Sequence, residues 1–356
     1  MRARHTSKAL ALLLALAIAL LGALPALAAS TPDAALTAVL NYLDGKRSSL
    51  AFGSGESEWK ALALARGGKT VPSAYVASIE SAVKADSLSA STDYARTVLA
   101  LTAMGIDASD FADCNLLEPL TDIDFVTEHL PNGPTFALLA LNSHNAYASK
   151  FPAGYDLALV DVLLSEYTAL GWTAGWAIGV DIDATAMALQ ALAPYYSHSN
   201  VKTVVDSAVA LLSGAQLASG AFANDYDYGV FDDACSTAQV ITALSVLGMD
   251  AATALPRNAV SALLAFQEAD GGFDAAWGEN PFADSQAAYA LVAYDRYGKG
   301  ANSLFDMSDA FSEEPAPLTT LEKWEAKLPG WLSFIKSWPD WIKWIVYCVS
   351  FGWVWA

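Results

Sequence analysis

Hydrophobic positions along the chain alternate between two kinds of segment. In one kind, Ala and Leu occupy nearly every side, as in "TVLALTAMG" and "ATAMALQALA", which predicts helices that are buried all round. In the other kind, such as "DAALTAVLNYLD" from Asp33 and "VKTVVDSAVALLSG" from Val201, apolar residues recur every three or four positions. This spacing predicts half-exposed amphipathic helices. Period-two strand patterns are nearly absent, so the sequence predicts an all-α fold.

The buried segments recur six times along the chain. Aligned on a shared Ala-Leu pair, they place reference leucines 37 to 55 residues apart, at Leu64, Leu101, Leu141, Leu189, Leu244 and Leu291. Self-similarity at such a period is typical of repeat architectures. Six buried helices alternating with six half-exposed ones indicate two concentric rings, with the Ala-rich set inside.

A second repeated element joins the two kinds of helix. The pattern Q-x-x-x-G-x-F occurs at Gln216, Gly220 and Phe222 and again 51 residues later, at Gln267, Gly271 and Phe273. Glycine permits the turn after an outer helix. We expect the glutamine to hydrogen-bond the neighbouring repeat and the aromatic ring to fill the gap between repeats.

Together, this element and the helix start "DIDATA" resemble the squalene–hopene cyclase and protein prenyltransferase repeat family. The resemblance extends over residues 33–297 and is strongest after Gly171. It implies an α/α toroid over residues 33–302, with about six inner and six outer helices around a central cavity. Fold alone does not define chemistry, so each candidate site is considered separately.

The first candidate site is an acidic motif. Cyclases of this family carry D-x-D-D-T-A, in which the middle Asp protonates an alkene, and Asp183 takes that position here with Asp181 before it. The last acid of the motif is replaced by Ala184. Asp residues at helix starts also serve as N-caps, and Asp93, Asp233 and Asp284 begin other inner segments. The sequence leaves capping, ligand contact and acid catalysis open for Asp183 and Asp181.

The second candidate is a zinc site, which the prenyltransferases of the family build from a D-x-C pair and a histidine. Asp233 and Cys235 match the pair, whereas Gln286 takes the place of the histidine. Glutamine is a poor zinc ligand, so we predict no metal and no cofactor. The sequence leaves open whether Cys114 and Cys235 form a disulfide.

Aromatic and acidic side chains lie around the loops that lead into the later inner helices. If these loops gather at one end of a toroid, the rings could line a cavity mouth, where they would contact an apolar ligand or a carbocation. Filling of the core is the alternative. The predicted ligand-binding residues are Trp172, Trp176, Phe222, Tyr226, Asp233, Phe273, Trp277 and Asp284.

The two ends of the chain predict its location. Basic residues, an apolar run and "ALA" at 26–28 predict a secretory signal peptide over 1–28.

A Pro-containing acidic stretch predicts a linker over 303–320, and residues 321–356 hold seven of the eleven Trp residues. The 13 residues 344–356 reach about 20 Å as a helix, too short for a bilayer core of about 30 Å. We therefore expect interfacial docking on a membrane or envelope partner through 331–356, with packing on the protein itself as the alternative.

Charge excludes one class of partner. The chain carries a net charge of −19, and nucleic-acid phosphates require Lys and Arg, so no nucleic-acid partner is expected. The sequence predicts a secreted, surface-associated toroid that binds a small or apolar, isoprenoid-like ligand without the full catalytic motif. An isoprenoid cyclase or prenyltransferase-like enzyme that uses Asp183 as general acid is one alternative. A structural or adhesive envelope module is the other.

Overall fold

The structure is a computed structural model that describes residues 31–227, 229–274 and 280–311. By its internal contacts the chain divides into two units, Met1–Ala310 and Phe311–Ala356. Within the described residues regular structure is helical, and β pairing is limited to four isolated bridges. The predicted all-α class is therefore confirmed. The predicted signal peptide, the linker beyond Phe311 and the Trp-rich tail lie outside the described residues.

The described residues form twelve α-helices, numbered here in chain order. The odd-numbered helices are α1 (Pro32–Gly45), α3 (Ser73–Lys84), α5 (Ile123–Thr127), α7 (Tyr155–Glu166), α9 (Ser199–Ala215) and α11 (Ala259–Leu264). The even-numbered helices are α2 (Glu56–Arg66), α4 (Ser91–Ala103), α6 (Asn132–Leu141), α8 (Ile182–Leu192), α10 (Ala234–Val246) and α12 (Pro281–Lys299). Short 3-10 helices lie at Arg47–Ser49, Ala108–Asp110, Pro119–Thr121, Asn145–Ser149, Ala193–Tyr195 and Ser308–Ala310.

The two sets of helices differ in burial as their patterns predict. In α10, every residue from Ala234 to Ser245 is buried. In α9, the buried residues are Val201, Val205, Ala208 and Leu212, a spacing that places them on one face of the helix. Helices α5 and α11 are the shortest, with five and six residues.

Neighbouring even-numbered helices pack against one another in chain order. Helix α2 packs against α4, α4 against α6, α6 against α8, α8 against α10, and α10 against α12. Helix α12 also packs against α2. The odd-numbered helices lie against this set: α1 contacts α2 and α12, α7 contacts α6, α9 contacts α8, and α11 contacts α10 and α1.

The repeated glutamine connects successive repeats as predicted. Gln216 donates from Nε2 to the carbonyl oxygen of Arg257 (2.8 Å) and accepts from the Arg257 N–H (2.9 Å), just before α11. Gln267 donates from Nε2 to the carbonyl oxygen of Ala35 in α1 (3.0 Å). Residues 216 and 267 thus make equivalent bonds, although the second joins the last repeat to the first helix.

The helical unit continues past residue 302, the predicted end of the toroid. Residues 303–310, which we call the strap, belong to the helical unit, and Leu304 and Met307 are buried. The buried guanidinium of Arg66 donates to the carbonyl oxygens of Ser303, Leu304 and Asp306 at 2.9–3.0 Å and pairs with Asp309 at 2.5 Å. Apolar side chains and this arginine hold the strap, whose eight residues are the first of the stretch 303–320 predicted as a linker.

Within the part of the chain that the structure describes, no helix combines the length and the apolar character needed to cross a membrane. The docking segment predicted at 331–356 falls outside that part and stays a prediction.

The glycines of the Q-x-x-x-G-x-F element predict a measurable stability difference. Gly271 has φ of +96°, and a Cβ added there would lie 2.8 Å from the Ala38 carbonyl oxygen of α1. Gly175 has φ of +83° with open space around it. Positive φ costs an alanine about 1 kcal/mol, and the close approach adds to that at Gly271 alone. We expect Gly271→Ala to lower the free energy of unfolding by about 2–4 kcal/mol and Gly175→Ala by about 1 kcal/mol, measured by urea denaturation.

Equal losses in the two variants would contradict the close packing of the 268–274 loop on α1.

Candidate functional site

Both carboxylate oxygens of Asp181 accept hydrogen bonds from backbone N–H groups. Its Oδ1 accepts a hydrogen bond from the Ala184 N–H (3.0 Å), which makes it the N-cap of α8, and its Oδ2 accepts from the Ala174 N–H (3.1 Å). The residue is 3% exposed. Of the roles that the sequence left open, the structure supports capping for Asp181, because both oxygens already hold buried N–H groups that would otherwise lack a partner.

Asp183 lies two residues further on and is bound differently. Its Oδ2 accepts from Asn224 Nδ2 (3.1 Å). Its Oδ1 is buried and has no hydrogen-bond partner among the described residues. A buried oxygen without a partner costs about 1–3 kcal/mol. This carboxyl is therefore not explained by helix capping.

Asn224 organises the surroundings of Asp183, and sequence reasoning missed it. Its Oδ1 accepts from the Ile182 N–H (2.7 Å), while its Nδ2 donates to Asp183 and to the Tyr226 hydroxyl (3.1 Å). The side chain is buried. A buried Asn two residues after the repeated Phe222 was the available signal, because a polar residue at a core position needs a specific partner.

The pKa of Asp183 is raised to about 7. Burial is the largest cause, since it disfavours the charged form, and the carboxyls of Asp233 and Asp181 raise it further. The nearby Ser236 side chain lowers it and so opposes the shift. At neutral pH the Asp183 carboxyl is therefore present in both protonated and ionised forms, and the protonated form can donate a hydrogen bond.

Asp233 and Cys235 begin α10 beside Asp183. Asp233 is the N-cap and accepts from the Ser236 N–H (2.8 Å); burial raises its pKa. The Cys235 thiol is buried, accepts from Asn280 Nδ2 (3.5 Å), and has a pKa raised by burial. That shift disfavours the thiolate that binds metals. Cys114 and Cys235 are both free cysteines.

Gln286 takes the place of the zinc-binding histidine of the prenyltransferases. Its Oε1 is buried and has no hydrogen-bond partner in the described structure. Over the described ranges, no group of three or more His, Cys, Asp and Glu side chains is arranged to hold a metal ion.

The predicted aromatic residues separate into different environments. Trp172, Phe222 and Phe273 are buried in the hydrophobic core, and the Trp172 indole donates to the Leu163 carbonyl oxygen (2.7 Å). These three rings belong to the core, and Phe273 also lines the cleft that contains Asp284. Trp176 is 78% exposed, and Tyr226 is half-buried beside Asn224. Trp277 lies outside the described residues.

Asp284 lines a cleft that Asp183 does not line. Helix α12 begins at Pro281 with Asn280 as its N-cap, so Asp284 is not the cap that its position predicted. Its Oδ1 instead accepts from the Phe273 N–H (2.8 Å), and burial raises its pKa. It lines a polar cleft of about 680 Å³ between α1, α2, α12 and the 268–274 loop; Asp181, Asp183 and Asp233 do not line it.

Apolar side chains are exposed on the two loops that precede α8 and α10. The loops are joined by a hydrogen bond from the Ile178 N–H to the Asp225 carbonyl oxygen (2.7 Å). Ile178, Val230 and Phe231 are exposed at 55%, 45% and 52%. With Trp176 they form what we call the apolar rim. Exposed apolar side chains on two joined loops can contribute to a binding surface.

Comparison with known proteins identifies no relative: no protein-family model matches the chain, and no curated protein matches it in sequence.

The raised pKa of Asp183 predicts a pH-dependent stability. Its ordinary pKa is 3.8 and its folded value about 7, so between these values the folded protein binds more protons than the unfolded chain. Stability from this group is complete below about pH 4 and is lost as pH rises through 7. The Asn side chain of Asp183→Asn cannot ionise, so the variant lacks this pH dependence. We expect the difference in unfolding free energy, variant minus wild type, to be about 1–3 kcal/mol larger at pH 8 than at pH 5.

Urea denaturation at both pH values measures this difference. Asp206→Asn is the matched control, because that carboxylate is exposed and pairs with Lys202 (2.8 Å). A pH dependence unchanged by Asp183→Asn would show that the carboxyl titrates as an ordinary aspartate.

Proposed function

We propose that residues 31–310 form an α/α toroid that binds an apolar ligand carrying one hydrogen-bond-accepting oxygen, with Asp183 as the polar contact. The observation that carries the proposal is the Asp183 Oδ1, which is buried and without a partner in the described structure on a carboxyl whose pKa is about 7.

The toroid is supported by the order of the helix contacts. The even-numbered helices contact one another in sequence, and the contact of α12 with α2 completes a cycle. The hydrogen bond from Gln267 to Ala35 joins the last repeat to α1 in the way that Gln216 joins its repeat to the next. The even-numbered helices are the buried set, so they would form the inner ring.

The ligand class follows from the groups around Asp183. A protonated carboxyl supplies one O–H donor, and an unpaired buried polar group favours a ligand that pairs with it. The apolar rim on the neighbouring loops favours a hydrophobic molecule. Ligand sites commonly combine apolar walls with few polar groups. A long isoprenoid-like ketone, aldehyde or alcohol has this combination.

Binding without turnover is favoured by the state of the acidic motif. Ala184 is buried where the resembling family has its last acid, and Asp181 holds two backbone N–H groups. Protonation of an alkene demands a strong acid, and a carboxyl with a pKa of about 7 is a weak one.

Acid catalysis remains the second candidate function, because one observation favours it. A general acid must be protonated at the working pH, and burial keeps part of Asp183 in that state. In this reading Asp183 would donate a proton to an isoprenoid alkene. The aromatic rings at the apolar rim would then stabilise the cation.

Secretion and surface attachment rest on the sequence alone. The signal peptide predicts export, and the Trp-rich segment 331–356 predicts attachment to a membrane or an envelope partner. An envelope adhesion module is the third candidate, and it depends on that segment.

Ligand binding predicts a pH-dependent affinity that depends on Asp183. Geranylacetone is a suitable probe, because its ketone accepts a hydrogen bond and donates none. We expect its affinity, measured by isothermal titration calorimetry, to fall about tenfold between pH 6 and pH 8.5 as Asp183 ionises. Asp183→Asn keeps an N–H donor and should bind at both pH values, whereas Asp183→Leu should bind weakly at both.

β-Farnesene, a hydrocarbon without an oxygen, is the matched ligand control and should bind without this pH dependence. A pH dependence retained in Asp183→Asn would contradict the role of Asp183. Incubation with squalene and prenyl diphosphates, followed by mass spectrometry, tests the second candidate: products that Asp183→Asn abolishes would replace the binding function with catalysis.

A further inference from the structure

A second cavity lies at the carboxyl ends of α6, α8 and α10. It has a volume of about 240 Å³, and its apolar walls include Leu138, Leu139, Ala191 and Val246. Phe305 of the strap also lines it. Asp183 and Gln190 are seven residues apart on α8, which corresponds to about 10 Å along the helix axis. The cavity is therefore separate from the Asp183 site.

Gln190 is one of the polar residues that line this cavity, together with Asn142, Ser303 and Asp306. Gln190 is 3% exposed, and its Nε2 donates to the side-chain oxygen (2.9 Å) and the carbonyl oxygen (3.2 Å) of Gln239. Gln239 in turn donates from Nε2 to the Tyr289 hydroxyl (2.5 Å). These bonds run across α8, α10 and α12 and fix which end of the Gln190 amide faces Gln239.

The Gln190 Oε1 therefore remains available. No described residue donates a hydrogen bond to it, although Gln190 lines the cavity. A buried amide normally satisfies its oxygen as well as its nitrogen. The position of this acceptor in an apolar cavity points to a ligand with a single donor.

The strap forms one wall of this cavity. Ser303, Phe305 and Asp306 line it, and Arg66 holds the same segment by its carbonyl oxygens. The Met307 N–H also donates to the Ser143 carbonyl oxygen (2.8 Å). A negative charge at Asp306 disfavours an anionic ligand.

We propose that this cavity binds a small, uncharged, mainly apolar molecule whose one N–H or O–H group donates to Gln190 Oε1. A cavity of about 150 Å³ accommodates benzene, so 240 Å³ suits a bicyclic aromatic such as indole. The molecule would contact Leu138, Ala191 and Val246 with its rings.

Indole and indene test the proposal, because the two have similar size and only indole carries an N–H donor. We expect calorimetry of the full chain to give about five- to tenfold tighter binding of indole, the worth of one net hydrogen bond. Val246→Phe fills the cavity and should abolish binding of both. Val209→Phe on α9, outside the cavity lining, is the matched control and should leave both unchanged.

Gln190→Leu should remove the preference for indole while indene still binds. This variant leaves Gln239 without its partner, so circular dichroism should first establish that it folds. The Val246→Phe result stands independently if it does not. Equal affinities for the two probes in the wild type, or binding unaffected by Val246→Phe, would overturn the proposal. Neither outcome bears on Asp183, because the geranylacetone experiment reports on the other end of α8.

Discussion

Burial of the even-numbered helices on all sides is the constraint on which the other features depend. The first N–H groups and last carbonyls of a helix have no partners within it, and here water does not reach many of them. Asp181 and Asp233 meet this requirement as N-caps with 3% and 6% exposure. At α4 the arrangement is reversed, because Asp93 lies in the first turn and accepts from the N–H of the N-cap residue Ala90 (3.0 Å). Repeated acids at these positions are thus first a consequence of packing.

The same constraint acts between repeats. Small residues let the helices approach closely, and the connecting turns must then pass close to neighbouring backbones. Gly220 and Gly271 lie near Asn258 and Ala38 of the next odd-numbered helix, where a Cβ would crowd a carbonyl oxygen. Gln216 and Gln267 use that proximity to hydrogen-bond the neighbouring backbone. Turn geometry and the contact between repeats are therefore set by one short element.

The sequence predicted these features because each depends on local chemistry. Helix class, alternation in burial and the Gln bonds follow from residue type and spacing. The environments of Trp172 and Trp176 do not, since one is in the core and the other is 78% exposed although both lie on one short loop. The role of Asn224 and the anchoring of the strap by Arg66 depend on contacts between distant segments. The spacing of residues along the sequence does not directly indicate which distant segments are in contact.

The two proposed sites have a common physical origin in polar groups that packing leaves unsatisfied. Near its start α8 has the buried Asp183 Oδ1. Near its end it has Gln190, which lines the cavity and whose Oε1 accepts no hydrogen bond from a described residue. Asp183 differs from the capping acids because its neighbours raise its pKa rather than occupy both of its oxygens. Gln190 differs from Gln216, whose amide oxygen also accepts a hydrogen bond, because only its amide nitrogen is used. Since a fold built on satisfied helix ends rarely leaves such groups in its interior, a ligand at each position is the simplest physical reason for their presence.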